Sequence, residues 1–123
     1  MAAPVDMELR KAFQELQVKM IDTTRRLKMA DMQIDSLKNV IQGAYLTGEA
    51  LSEAPADTKM FVSVGRMFIV SSSPDVKKTL DDKIKTNSEK IKNLETNKAY
   101  LERSLKESEN NLREMIIQKQ SMQ

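Results

Sequence analysis

The side chains able to do chemistry are few in this chain, and their types argue against a reaction centre. Asp81 and Asp82 form the most obvious carboxylate pair. On a convex, hydrated helix nothing would exclude water from them or move a pKa, so general acid–base work is not expected there. Cys and His are both absent, which removes thiolate nucleophiles, imidazole bases, the usual zinc ligands and any disulfide. Gly65 stands alone rather than in a glycine-rich phosphate loop. Lys83, Lys85, Lys90 and Lys92 come nearest to a phosphate-binding stripe, but Asp81, Asp82 and Glu89 dilute it, and it reads as a solvated helix face. The expectation is a protein that is not an enzyme, has no metal or cofactor, and binds neither nucleic acid nor membrane.

Composition says what such a chain is built for. Trp is absent, aromatics make up 4% of 123 residues, Gly and Pro number three each, and charged residues reach 31%. That inventory cannot fill a broad core, yet its Leu, Ile and Met can line a narrow seam between long helices. The net charge is +2 with both signs interspersed. The opening MAAPVDMELRKAF has no hydrophobic signal core, and no apolar stretch approaches the roughly 18 residues of a membrane span. A cytoplasmic location is therefore expected.

Two helical segments carry the seam. With Phe13 at heptad position a, Phe13, Met20, Leu27, Ile34 and Ile41 occupy a, while Leu9, Leu16, Thr23, Ala30, Leu37 and Ala44 occupy d. Only Thr23 breaks the apolar stripe, and a period of 3.5 held this long specifies a coiled coil. The second segment opens at Ser73-Pro74-Asp75, a cap, a first-turn proline and a dipole-complementing acid. Ile84, Ile91, Lys98, Leu105, Leu112 and Lys119 then take a, with Leu80, Asn87, Leu94, Leu101, Ser108, Met115 and Met122 at d. Polar Asn87, Lys98 and Ser108 cost stability but can fix register. The helices can pair within the chain or with another copy; the short connection favours antiparallel pairing within one chain. The expected layout is a single domain over 1–123, mostly α, with helix at 5–44, a connector at 45–58, a β-hairpin at 59–72 and helix at 74–120.

Where the first helical pattern ends, Gly43 and Gly48 weaken helix, Thr47 can cap a short turn, and Pro55 is a stop. Beyond it two β-prone runs flank Gly65-Arg66, a pair suited to a type II′ hairpin turn. That turn puts Met60, Val62, Val64, Met67 and Ile69 on one face and Phe61, Phe68 and Val70 on the other. Both faces are apolar, and an isolated hairpin is marginal in water. Strands from other chains are expected to complete it.

Helix, apolar hairpin and helix in this order resemble the prefoldin family. The residues that carry the resemblance are MAAPVDMELRKAFQELQ at the start, MFVSVGRMFIV from Met60 to Val70, and KAYLERSLKESENNLREMI from Lys98 to Ile116. It covers nearly the whole chain, is weakest between Gly43 and Thr58, and with one hairpin rather than two is similar to the eukaryotic β-type subunits. The resemblance implies a hexamer of two α-type and four β-type subunits, with hairpins forming a β-barrel platform from which coiled coils project. It further implies capture of unfolded proteins, actin and tubulin among them, at the coiled-coil tips, and delivery to the cytosolic chaperonin without ATP.

Candidate contact residues follow from asking which apolar side chains lie near the helix ends that form the tip. Val5, Met7, Ile116 and Ile117 fall off the seam there, and Met115 and Met122 are nominal seam residues near a fraying end. Methionine adapts to varied apolar surfaces. Val18, Ile21, Met29 and Met32 also lie off the seam, far from the tip, and can mark contacts between neighbouring coiled coils or none. A structural or tethering coiled-coil adaptor is the alternative function, but it has no need of a two-faced apolar hairpin.

Overall fold

The computed structural model describes residues 7–121. Helix α1 (Met7–Glu53) leads into an antiparallel pair of strands, β1 (Met60–Val64) and β2 (Met67–Ser71), and helix α2 (Ser73–Ser121) follows. This is the expected mostly α class. The chain divides into two compact units.

In the first unit, residues 7–32 of α1 pack with residues 94–121 of α2. Three cross-helix contacts define their sense. Lys119 meets Glu8 at 3.4 Å, the Lys19 ammonium donates to Ser108 Oγ at 2.5 Å, and Lys98 pairs with Asp31. As the α1 number rises the α2 number falls, so within this unit the helices run antiparallel in one chain. The core is a single line of side chains that includes Ala30 and Leu112. Thr23, which breaks the apolar stripe, is 4% exposed and sits squarely in the seam.

The first heptads of α1 differ from the expected register. Phe13 and Met20 are exposed, and Ala12 and Lys19, one position earlier, are the half-buried pair. A straight α-helix drifts by about 20° per heptad against a 3.5 repeat. Lys19 fixes the drift here, because its ammonium also donates to the Ser104 carbonyl at 3.2 Å and to Ser104 Oγ at 3.0 Å. Turning Lys19 inward turns Met20 outward. Along α2 the expected a and d positions from Leu80 to Lys119 are all buried or half-buried.

The second unit, Gln33–Asn93, holds the rest of both helices and the hairpin. Here α1 continues to Glu53 instead of ending at 44. The two glycines cost only about 1 kcal/mol each relative to alanine, and buried Ala44 with half-buried Leu51 keeps the seam going. Thr47 does not cap a new turn. Its hydroxyl donates to the Gly43 carbonyl at 2.8 Å, and Ser52 does the same to Gly48 at 2.9 Å, so both are tied into the helix. Pro55 stops α1, since the residue before a proline is driven out of helical geometry. The connector thus shrinks to six residues, 54–59, with a turn closed by the Thr58 amide donating to the Pro55 carbonyl at 3.0 Å.

The start of α2 is capped by Ser72 rather than Ser73. The Asp75 amide donates to Ser72 Oγ at 3.3 Å and the Val76 amide to the Ser72 carbonyl at 3.0 Å. A serine three residues ahead of the acceptor-seeking amide fits capping geometry, which places Pro74 at the second helical position.

Candidate functional site

Two surfaces deserve a functional reading, and the hairpin is the more distinctive. Its register pairs Val64 with Met67, Val62 with Ile69 and Met60 with Ser71, alternating with Phe61–Val70 and Ser63–Phe68. Two residues, Gly65 and Arg66, close the turn. Gly65 has φ +62° and no other residue type adopts positive φ among the described residues. That excludes type I′, which needs positive φ at both positions, and fits the expected II′ turn with glycine first.

Directly paired residues share a face, so Met60, Val62, Val64, Met67 and Ile69 lie on one side and Phe61, Phe68 and Val70 on the other. Met60, 8% exposed, is covered by its own chain and Val62 is half-buried. The other six stand exposed, Phe68 most of all at 73%. The sheet has only two strands, so each strand also keeps an outer edge without a partner strand among the described residues. A lone hairpin with apolar side chains on both faces and open backbone on both edges is a template for further strands.

The second surface is the end where α1 begins and α2 stops. Met7 is 79% exposed and Ile117 59% exposed, while Met115 and Ile116 are half-buried. Met115 lines a shallow cleft of about 240 Å³ with Leu16, Lys19 and Leu112 among its walls. The Glu8–Lys119 contact holds the two helices together beside this end. Val5 and Met122 lie outside the described residues. The expected apolar patch is therefore represented by Met7 and Ile117, with Met115 and Ile116 partly turned toward the seam.

Charges tune the seam of the first unit. Lys98, at a seam position, hydrogen-bonds Asp31, and that bond together with the nearby carboxylates of Asp31, Glu102 and Glu95 raises its pKa against a smaller opposing effect of burial. Sequence reasoning placed Lys98 in the seam but gave it no partner, because Asp31 is at heptad position e of the other helix. It also missed the groove beside Met20 and Ile21, since Met20 was assigned inward. Among the described residues no helix is long and apolar enough to cross a membrane.

The family model described as "Prefoldin subunit" matches residues 14–119. Prefoldin subunit 1 of Danio rerio is 49% identical over 121 residues, which is 98% of this chain and 99% of that protein. Prefoldin subunit 1 of Homo sapiens is 50% identical over 117 residues, covering 95% and 96%. The Arabidopsis thaliana protein of the same name is 34% identical over 92% of this chain and 88% of its own length. In fold, the chain is similar to the prefoldin beta subunit from Thermococcus strain KS-1, with a TM-score of 0.73 and 16% identity over 90% of this chain and 94% of that one. Two long helices around a single hairpin, and half of all residues shared with relatives along nearly the whole length, make this chain a member of the prefoldin family with the fold of its β-type subunit.

Proposed function

We propose that the chain is one subunit of a cytoplasmic, ATP-independent co-chaperone, a heterohexamer of two α-type and four β-type prefoldin subunits. The hairpin joins strands of neighbouring subunits in a shared β-barrel platform. The helix ends capture unfolded or nascent proteins of the actin and tubulin class and deliver them to the cytosolic chaperonin. The exposed two-faced hairpin with both edges open is the observation that carries this reading. Burying a side chain such as Phe or Ile contributes roughly 1.5–3 kcal/mol, so the six exposed hairpin residues together outweigh a substantial entropic cost of association.

The test is reconstitution of the full chain with an α-type prefoldin subunit, read by sedimentation and circular dichroism. Replacing Phe68 and Ile69 with Asp should release the subunit from the complex while most helical signal persists, because both side chains are exposed in the single chain. Co-sedimentation of the double variant in a stable hexamer would refute the platform role.

A further inference from the structure

The inward turn of Lys19 leaves a second apolar feature on α1, separate from both the hairpin and the helix end. Met20, Ile21, Thr24, Arg25 and Lys28 line a shallow depression of about 420 Å³. Val18 precedes it and Met29 and Met32 follow it, all exposed. Positions 18, 21, 25, 28 and 32 recur at three- and four-residue intervals, so they form one stripe along the outward side of the helix. At about 1.5 Å per residue the stripe is roughly 20 Å long, the span of some four turns of a partner helix.

Its charge is one-sided. Arg26 is paired with Asp22 at 3.1 Å and Asp31 with Lys98, but neither Arg25 nor Lys28 has an ion-pair partner among the described residues. Two uncommitted cations, Arg25 and Lys28, therefore sit within the stripe, between Ile21 and Met32. A helix laid along the stripe can set apolar side chains on Ile21 and Met32 and, between them, carboxylates on Arg25 and Lys28.

We propose that this stripe is a docking site for an acidic amphipathic helix of a partner protein, distinct from the hairpin platform and from the apolar helix end. Val18, Ile21 and Met32 receive its apolar residues, and Arg25 and Lys28 select its charge. The site lies within one unit of the chain and does not depend on the hairpin, so it stands or falls apart from hexamer assembly.

The probe is a fluorescent 18-residue peptide with Leu at helical i, i+3, i+4 and i+7 spacing and Glu elsewhere, titrated by anisotropy against the full chain, alone and assembled with its α-type partner. A matched peptide with Lys in place of Glu is the control. The Glu peptide should bind at least about fivefold more tightly than the Lys peptide at low ionic strength, and added salt should narrow the gap as screening weakens the ion pairs. Arg25→Glu with Lys28→Glu should invert the preference, so that the Lys peptide becomes the tighter ligand, whereas the same charge change away from the stripe, Lys83→Glu with Lys85→Glu, should not. Ile21→Ser should weaken the Glu peptide, and Ile116→Ser with Ile117→Ser should leave it unchanged. Equal binding of both peptides, an unaltered preference in the charge-reversed variant, or loss of binding in the Ile116/Ile117 variant would each overturn the proposal.

Discussion

Thr23 shows how a single residue type can be tolerated in a seam without being optimal. It is among the most buried side chains described, and its hydroxyl has no hydrogen-bond partner among the described residues. An unpaired buried hydroxyl costs about 1–3 kcal/mol, and valine has nearly the same shape without it. Thr23→Val should therefore stabilise the chain by about 1 kcal/mol, seen as a higher urea midpoint at unchanged slope. A lower midpoint would mean that the hydroxyl is satisfied, for instance by water. Lys19 is the opposite case, a charged residue whose three contacts to Ser104 and Ser108 make it a determinant of how α1 is turned.

At the scale of elements, the lower half of α1 is helical in spite of its glycines. Gly43 and Gly48 both have ordinary helical backbone, and a Cβ added at either would meet no atom within 4 Å. Gly48 borders an open groove of about 310 Å³ shared with Leu80 and Ile84, so there is room for a methyl group. Gly43→Ala and Gly48→Ala should each stabilise the isolated chain by about 0.5–1 kcal/mol through reduced unfolded-state entropy. Chemical denaturation of the unassembled subunit is the measurement, because assembly would mask the effect. Destabilisation of either variant would show that the backbone there is not free to accept a side chain. The hairpin is governed differently: its register rests on Gly65 at positive φ, which a side chain would strain.

For the whole molecule, the proposed client capture rests on modest contacts acting together. One apolar side chain at the helix end contributes about 1.5–3 kcal/mol at most, and ordering the client offsets part of it. Useful affinity then requires several subunits to act through effective concentration. Ile116→Ser with Ile117→Ser should weaken suppression of aggregation of a denatured client while hexamer assembly stays intact, as light scattering and sedimentation would report. Moderate salt should change protection little, because an apolar contact is not screened. Full protection by the variant hexamer would exclude this C-terminal patch as the capture surface.

What the sequence determined by itself was local. A 3.5-residue period identified two helices and most of their inward positions, and a 2-residue alternation around Gly65-Arg66 identified the hairpin, its turn and its faces. Both follow from backbone geometry acting over a few residues. The tertiary structure decided what depends on distant partners. Lys19 meets residues 85 and 89 positions away, and where it turns inward Met20, one residue on, is exposed beside Ile21. The seam contribution of Ala44 and Leu51 carries α1 through two glycines to Glu53, where propensity alone had stopped it. Met60 is covered although Val64, Met67 and Ile69 on the same face are exposed, because burial depends on what packs above a residue and periodicity records only which way it faces.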